Sequence, residues 1–225
     1  MKSQQSGFTL VEIAIVLVII GLLLGGILKG QELINSAKVK NLANDFRVIP
    51  TYIYGYQDKF KSLPGDDSAA ATHINGATNA TTPGAPNTVG NGVIAGSPLS
   101  ATQTDESYLF WQHVRLANLA AGPTAAADPD YRPKNAVGGN IGIASLVNAG
   151  GLANAVITAP TAMNGTYQIC SEAVLGKFAK QLDVQMDDGN TQTGSMRSSL
   201  MTAQATAIAT AAIDDATPYL VCYSF

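Results

Sequence analysis

Residues 8–28, FTLVEIAIVLVIIGLLLGGIL, carry a single charged side chain, Glu12. A helix of that length reaches about 31 Å at 1.5 Å per residue, close to the hydrocarbon thickness of a bilayer. No other stretch constrains the chain as strongly. A secretory signal has a shorter apolar core with its small-residue cut site behind it. Here the small residue, Gly7, comes before the core. Cleavage after Gly7 removes residues 1–7 and leaves the apolar helix on the mature chain, as suits a segment retained for more than targeting.

Glu12 is the second anomaly. A carboxylate in a membrane helix costs about 3 kcal/mol even on the lenient insertion scale, and such residues are usually paired and functional. After a cut between Gly7 and Phe8, the free amine of Phe8 becomes a cation. It lies about one helical turn from Glu12 in its own chain and can also meet Glu12 of a neighbouring chain. An intermolecular pair neutralises both charges and sets the axial register of one subunit against the next. The alternative is a Glu12 near the interface that snorkels to water.

The run GFTLVE followed by a long apolar stretch resembles the class III signal of type IV pilins and type II secretion pseudopilins. The resemblance implies a prepilin peptidase that cuts after Gly7 and N-methylates Phe8, with Glu12 as the carboxylate used in assembly. It implies an α+β fold: a long N-terminal helix, half transmembrane and half amphipathic, packed on a small antiparallel-sheet head. It also implies a single-pass precursor in the bacterial inner membrane, then an extracellular or periplasmic filament. The implied partners are prepilin peptidase, identical or related pilin subunits in a helical polymer, an inner-membrane assembly platform, and membrane lipid before assembly. The resulting organisation is a leader at 1–7, a filament-core helix at 8–28, a stem at 29–61 and a head at 62–225.

The stem shows helical periodicity. Leu42, Phe46, Ile49, Ile53, Tyr56 and Phe60 recur at steps of four and three, which makes one apolar helix face. A single helix from about 9 to about 61 is expected, kinked at Pro50 and ended by Pro64 and Gly65. Gly21, Gly25, Gly26 and Gly30 suit close packing of membrane helices, or a segment that unwinds when subunits pack into a filament.

In the head, residues 65–104 have no helical period and many turn formers, so a long loop is expected. A helix should begin at Thr104 or Asp105, run to about Ala120 and stop at Gly122. Trp111 and His113 on it read as a core aromatic and a boundary histidine rather than a binding site. GGNIGIASLV, NAVITA and GTYQIC suit strands of an antiparallel sheet, followed by a helix at roughly 172–182, a turn at MDDGN and a final strand holding Cys222.

Charge is polarised along the chain. Residues 29–61 carry six Lys/Arg against three acids, and residues 62–225 carry six against twelve. An acidic head lacks the basic face that displaces counterions from duplex DNA, so no nucleic-acid partner is expected. The two cysteines, Cys170 and Cys222, belong to no metal-spaced cluster. In an exported head they would form a disulfide, worth roughly 4 kcal/mol in the chain-entropy model; the alternative is two unrelated buried thiols. A pair so placed resembles the disulfide-bounded region of pilins and favours a pilus subunit over a pseudopilin or a minor, tip-located adhesin or initiator.

Nothing in the sequence reads as a nucleophile elbow, P-loop or dinucleotide fingerprint, so neither an enzyme nor a cofactor is expected. No metal is expected either, and the acidic turn at 183–190 reads as solvated. The alternative there is calcium held by Asp183, Asp187, Asp188 and Asn190, in a spacing that departs from the EF-hand.

Overall fold

The structure is a computed structural model that describes residues 7, 9–81, 89–147 and 154–225. The chain divides into two compact units, one ending at Lys38 and the other comprising Val39–Phe225.

One helix, α1 (Leu10–Phe60, 51 residues), runs through both units. It passes without interruption through Gly21, Gly25, Gly26, Gly30 and Pro50. Within the second unit it buries Val39, Leu42, Ala43, Phe46, Ile49, Ile53 and Tyr56. This is the face that the four-and-three spacing predicts, with Phe60 half-exposed at its end. The helix stops after Phe60, where Lys61 takes a left-handed conformation (φ 56°) and the chain enters LPGDD.

The rest of the second unit is α2 (Ala70–His73), α3 (Glu106–Leu116), β1 (Ile141–Ser145), β2 (Tyr167–Leu175), α4 (Gly176–Met186), β3 (Met196–Leu200), β4 (Ala203–Ala207) and β5 (Pro218–Ser224). The strands form one antiparallel sheet in the order β1-β2-β5-β3-β4. The α+β expectation holds: a long apolar helix and a small antiparallel sheet.

Strand alternation sorts the core into two layers. Ile169 on β2 and Val221 on β5 join the large cluster that contains Phe46, Ile49 and Ile53 of α1. Cys170, Leu220 and Cys222 join a smaller cluster with Leu146, Ile157, Met163 and Ala207. Phe46 meets Tyr223 of β5 edge-on, ring centroids 6.1 Å apart. The sheet thus carries α1 on one face and the cysteine pair on the other.

Both outer strands are covered. Ser145 N–H of β1 donates to Ile94 O, and the path of Pro98 leaves no room for a side chain at Gly142. On β4, Ala207 N–H donates to Ala159 O, while Thr158 and Ala159 N–H donate to Ala205 O. Capped edges offer no free ladder to another chain.

Four expectations need correction. α3 is shorter than expected, because Asn118 turns left-handed (φ 61°) well before Gly122. Asp105 sits at its N-cap, but its carboxylate accepts from Ser100 Oγ at 2.6 Å rather than from helix amides. NAVITA forms only a single bridge, Ala159 with Thr206, in place of a strand. The helix expected at 172–182 starts at Gly176, since Glu172 and its neighbours continue β2 through a bulge at which Ala173 has φ 57°.

In the expected loop at 65–104, residues 82–88 lie outside the described residues, and the described parts are tied down by more than turn chemistry suggests. Asp66 accepts backbone N–H bonds from Gly90 (2.6 Å), Asn91 (3.2 Å) and Gly92 (2.7 Å). Asp67 accepts from Tyr56 Oη at 2.8 Å and Ala69 N–H at 2.9 Å, and lies 2.6 Å from His73 Nδ1. Burial opposes its ionised form, but the bonds from His73, Tyr56 and Ala69 outweigh burial and hold its pKa below the usual value. Gly65, at φ 90°, passes so close to Glu106 O that a Cβ would lie 2.2 Å from it. Two adjacent carboxylates thus tie the start of this segment to α1, α2 and the turn at 90–92.

Candidate functional site: the N-terminal segment

From Leu10 to Leu28 every side chain of α1 is exposed. The segment's best 18-residue window has a mean hydropathy of 2.8 and buries none of its residues. By length and composition it can cross a membrane. Apolar side chains such as Leu10, Leu17, Leu22 and Leu28 are each more than 60% exposed. A surface this apolar is stable only in lipid or against other protein.

The start of the helix explains part of the Glu12 anomaly. Thr9 N–H and Thr9 Oγ1 both donate to Glu12 Oε2, at 2.8 and 2.7 Å. Glu12 N–H donates back to Thr9 Oγ1 at 3.3 Å. This is a capping box, with Thr9 as the N-cap and Glu12 three residues on, and it satisfies two amides that would otherwise lack partners. A carboxylate in the first turn also lies at the positive end of the helix dipole. The Thr-x-x-Glu spacing is the sequence signal for this box, and a reading that weighs an ion pair against snorkelling passes over it. Both bonds from Thr9 fall on Oε2.

Gly7 is exposed, and nothing lies within 4 Å of the position a Cβ would take. The fold of the described residues therefore places no steric demand for glycine there. Phe8, the expected N-methylated residue, lies outside the described residues. At Gly21, Gly25, Gly26 and Gly30 the Cβ positions likewise meet open space, leaving shallow notches on an apolar helix.

In the head, Cys170 and Cys222 form a disulfide between directly paired residues of β2 and β5. Trp111 is buried, as expected of a core aromatic. His113 is fully buried rather than at a boundary. Its Nδ1 accepts from Gly65 N–H at 2.9 Å, which assigns the proton to Nε2, 2.8 Å from Thr78 O. Burial pushes its pKa down, so the ring is neutral and structural.

The acidic turn is not uniformly solvated. Asp188 is exposed and Asp187 half-buried, but Asp183 is completely buried. Burial, then the charges of Asp187 and Asp188, push the Asp183 carboxyl up to about 7. Asn190 is exposed, and its Oδ1 accepts from Gln192 N–H at 3.3 Å.

Residues 2–28 match the family model of the prokaryotic N-terminal methylation motif. That motif is the signature of type IV pilins and pseudopilins, and it contains Gly7, Phe8 and Glu12. The match stops where the apolar run stops, so the head is not part of it. No curated protein and no solved structure matches the chain.

Proposed function

We propose that the chain is a structural subunit of a type IV pilus-like filament. It enters the inner membrane as a single-pass prepilin, is cut after Gly7 by prepilin peptidase, is N-methylated at Phe8, and polymerises through the N-terminal part of α1. One observation carries this reading. The methylation motif coincides with a helix segment whose whole apolar surface is exposed, with a carboxylate in its first turn. A plain membrane anchor needs no methylation motif, and a cleaved signal would discard the helix.

Moving such a helix from lipid into a filament core exchanges one apolar surrounding for another. The hydrophobic effect therefore contributes little net drive. Packing at the glycine notches, the pairing of Glu12 with a neighbour's Phe8 amine, and an external motor must supply the rest. The capping box keeps Glu12 bonded while the subunit waits in the membrane, so the carboxylate is never without partners. The Cys170–Cys222 disulfide suits a head exposed to an oxidising compartment and favours a surface pilus over a pseudopilus.

Mass spectrometry on filaments sheared from intact source cells, compared with the remaining envelope, tests the reading. An abundant sheared protein beginning at methylated Phe8 is the expected result. The same processed protein confined to the envelope would move the assignment to a type II secretion pseudopilin or a scarce initiator. Mature protein that keeps residues 1–7 in both fractions would overturn it.

A further inference from the structure

A cavity of about 150 Å³ opens in the second unit between α1, α3 and the segments that hold Ala120, Ala121, Pro133 and Lys134. A second hollow of about 300 Å³ shares Asn44, Asp45 and Lys134 with it. Val48, Ile49 and Ile141 give the cavity an apolar wall, to which Trp111, a core aromatic at 4% exposure, adds an edge. Three charged side chains also line it: Asp45 of α1, Arg115 of α3, and Lys134.

Asp45 is the unusual member. It is half-buried, yet among the described residues its carboxylate accepts no hydrogen bond and joins no ion pair. Burial pushes it up to about 6, and no donor opposes that rise. A carboxylate drawn out of water ordinarily recruits a donor, because desolvation without one is costly.

Arg115 is its fixed opposite, at 6% exposure. Its Nε donates to Ala121 O, and its Nη1 donates to Pro123 O and Tyr131 O. The guanidinium carbon lies 5.7 Å from the Trp111 ring centroid and 5.2 Å from that of Tyr131. These contacts lock the group's orientation and leave Nη2 uncommitted among the described residues. Carbonyls orient the charge without neutralising it, and Asp128 acts on it only from beyond the 4.0 Å reach of an ion pair. Lys134, exposed at the rim, donates to the neutral Asn140 Oδ1 at 2.7 Å. The cavity therefore holds one negative and two positive groups that do not pair with one another.

We propose that this cavity binds a small zwitterion, a free α-amino acid with a short aliphatic side chain, its ammonium on Asp45, its carboxylate toward Arg115 and Lys134, and its side chain against Ile49 and Trp111. A ligand with a positive charge alone leaves Arg115 and Lys134 unanswered. One with a negative charge alone is repelled by Asp45. A zwitterion supplies the donor that Asp45 lacks and a carboxylate for the guanidinium fork. The site stands on the head alone and holds whether or not the chain is processed into a filament.

Trp111 is the single tryptophan of the chain, so its fluorescence reports on this wall. The test titrates the full oxidised chain, in detergent micelles, with L-alanine, L-valine and L-leucine. The expected result is a saturable fluorescence change for at least one of them, with a dissociation constant of about 1 mM or tighter. N-acetyl-L-valine lacks the ammonium and L-valinamide lacks the carboxylate; each should bind at least about tenfold more weakly than L-valine. Asp45→Asn should weaken L-valine by about tenfold or more without lowering the head's melting temperature, since it removes a carboxylate that bonds to nothing in the head. No saturable change with any of the three amino acids would overturn the proposal. Equal binding of L-valine and its two analogues to the unaltered chain would overturn it as well, by reducing the site to apolar contact. L-valine binding that is unchanged in a folded Asp45→Asn variant would place the ligand elsewhere and overturn it too.

Discussion

Between Leu10 and Leu28, α1 exposes every side chain, whereas between Val39 and Tyr56 the same helix buries seven. The first stretch is apolar all round. The second is apolar on one stripe and polar on the others. Backbone hydrogen bonding is the same in both, so the difference lies in what each expects to touch. A helix apolar on every side has no preferred face and suits lipid or a ring of neighbouring helices. A helix with one stripe turns it to a core, here one shared with Val221 and Tyr223 of the sheet and with Phe110, Trp111 and Val114 of α3. On the proposed function, assembly and head stability are written in separate parts of one element, and substitutions should separate them.

The largest effect is expected from Gly7→Val. Processing and filaments should be lost altogether, with residues 1–7 still present by mass spectrometry, while the head melts as in the wild type. A lowered head melting temperature would break the separation. On the other side, Phe46→Ala should cost about 3–5 kcal/mol of head stability in denaturant unfolding, since a fully buried aromatic leaves a cavity. Leu17→Ala, on the exposed stretch, should leave that unfolding curve unchanged.

Replacing Cys170 and Cys222 together by serine should destabilise the head by about 2–4 kcal/mol, read by the same denaturant curves, without preventing cleavage after Gly7. Loss of cleavage in this double variant would mean that the peptidase senses the head.

Glu106 supplies a pH-dependent contrast inside the head. It is fully buried; its Oε2 accepts from Ala95 N–H at 2.7 Å, and its Oε1 has no donor. Burial, and after it the charge of Asp66, push its pKa up to about 8, so Glu106 keeps its proton and hydrogen-bonds Asp66. A carboxyl whose folded pKa is raised stabilises the fold most below its unfolded value. That contribution falls as pH climbs from about 4.5 toward 8 and is flat beyond. Glu106→Gln keeps shape and a donor but does not titrate. It should flatten the decline in head melting temperature between pH 5 and 8 and melt above the wild type at pH 9. An unchanged slope would remove the shared proton.

The smallest effect concerns the cap. Thr9→Ala should loosen the first turn of α1 by about 1 kcal/mol, visible as faster hydrogen exchange of the amides at 10–13 in micelles. Head stability should not change. Unchanged exchange would mean that Glu12 is held by something other than Thr9.

What the sequence determined by itself is what local chemistry can dictate. Length and hydropathy made 8–28 a membrane-length helix. The spacing from Leu42 to Tyr56 identified the buried stripe, because period is a local property of a helix. The terminal strand with Cys222 was legible too, and the pairing of the two cysteines was the expectation for an exported head, with two unrelated thiols as the alternative that the structure removes. The Thr9–Glu12 spacing carried a capping box as well, but the expectation for Glu12 was an ion pair or snorkelling, and the structure supplied the box. Only the tertiary structure decided the rest. Asp66 meets amides 24 to 26 residues away, and His113 reaches back to Gly65. Asp183 looked like part of a solvated turn, yet the fold removes it from water. Contacts of this kind leave no period and no motif. They depend on where backbone amides from distant segments converge once the sheet order β1-β2-β5-β3-β4 has been set.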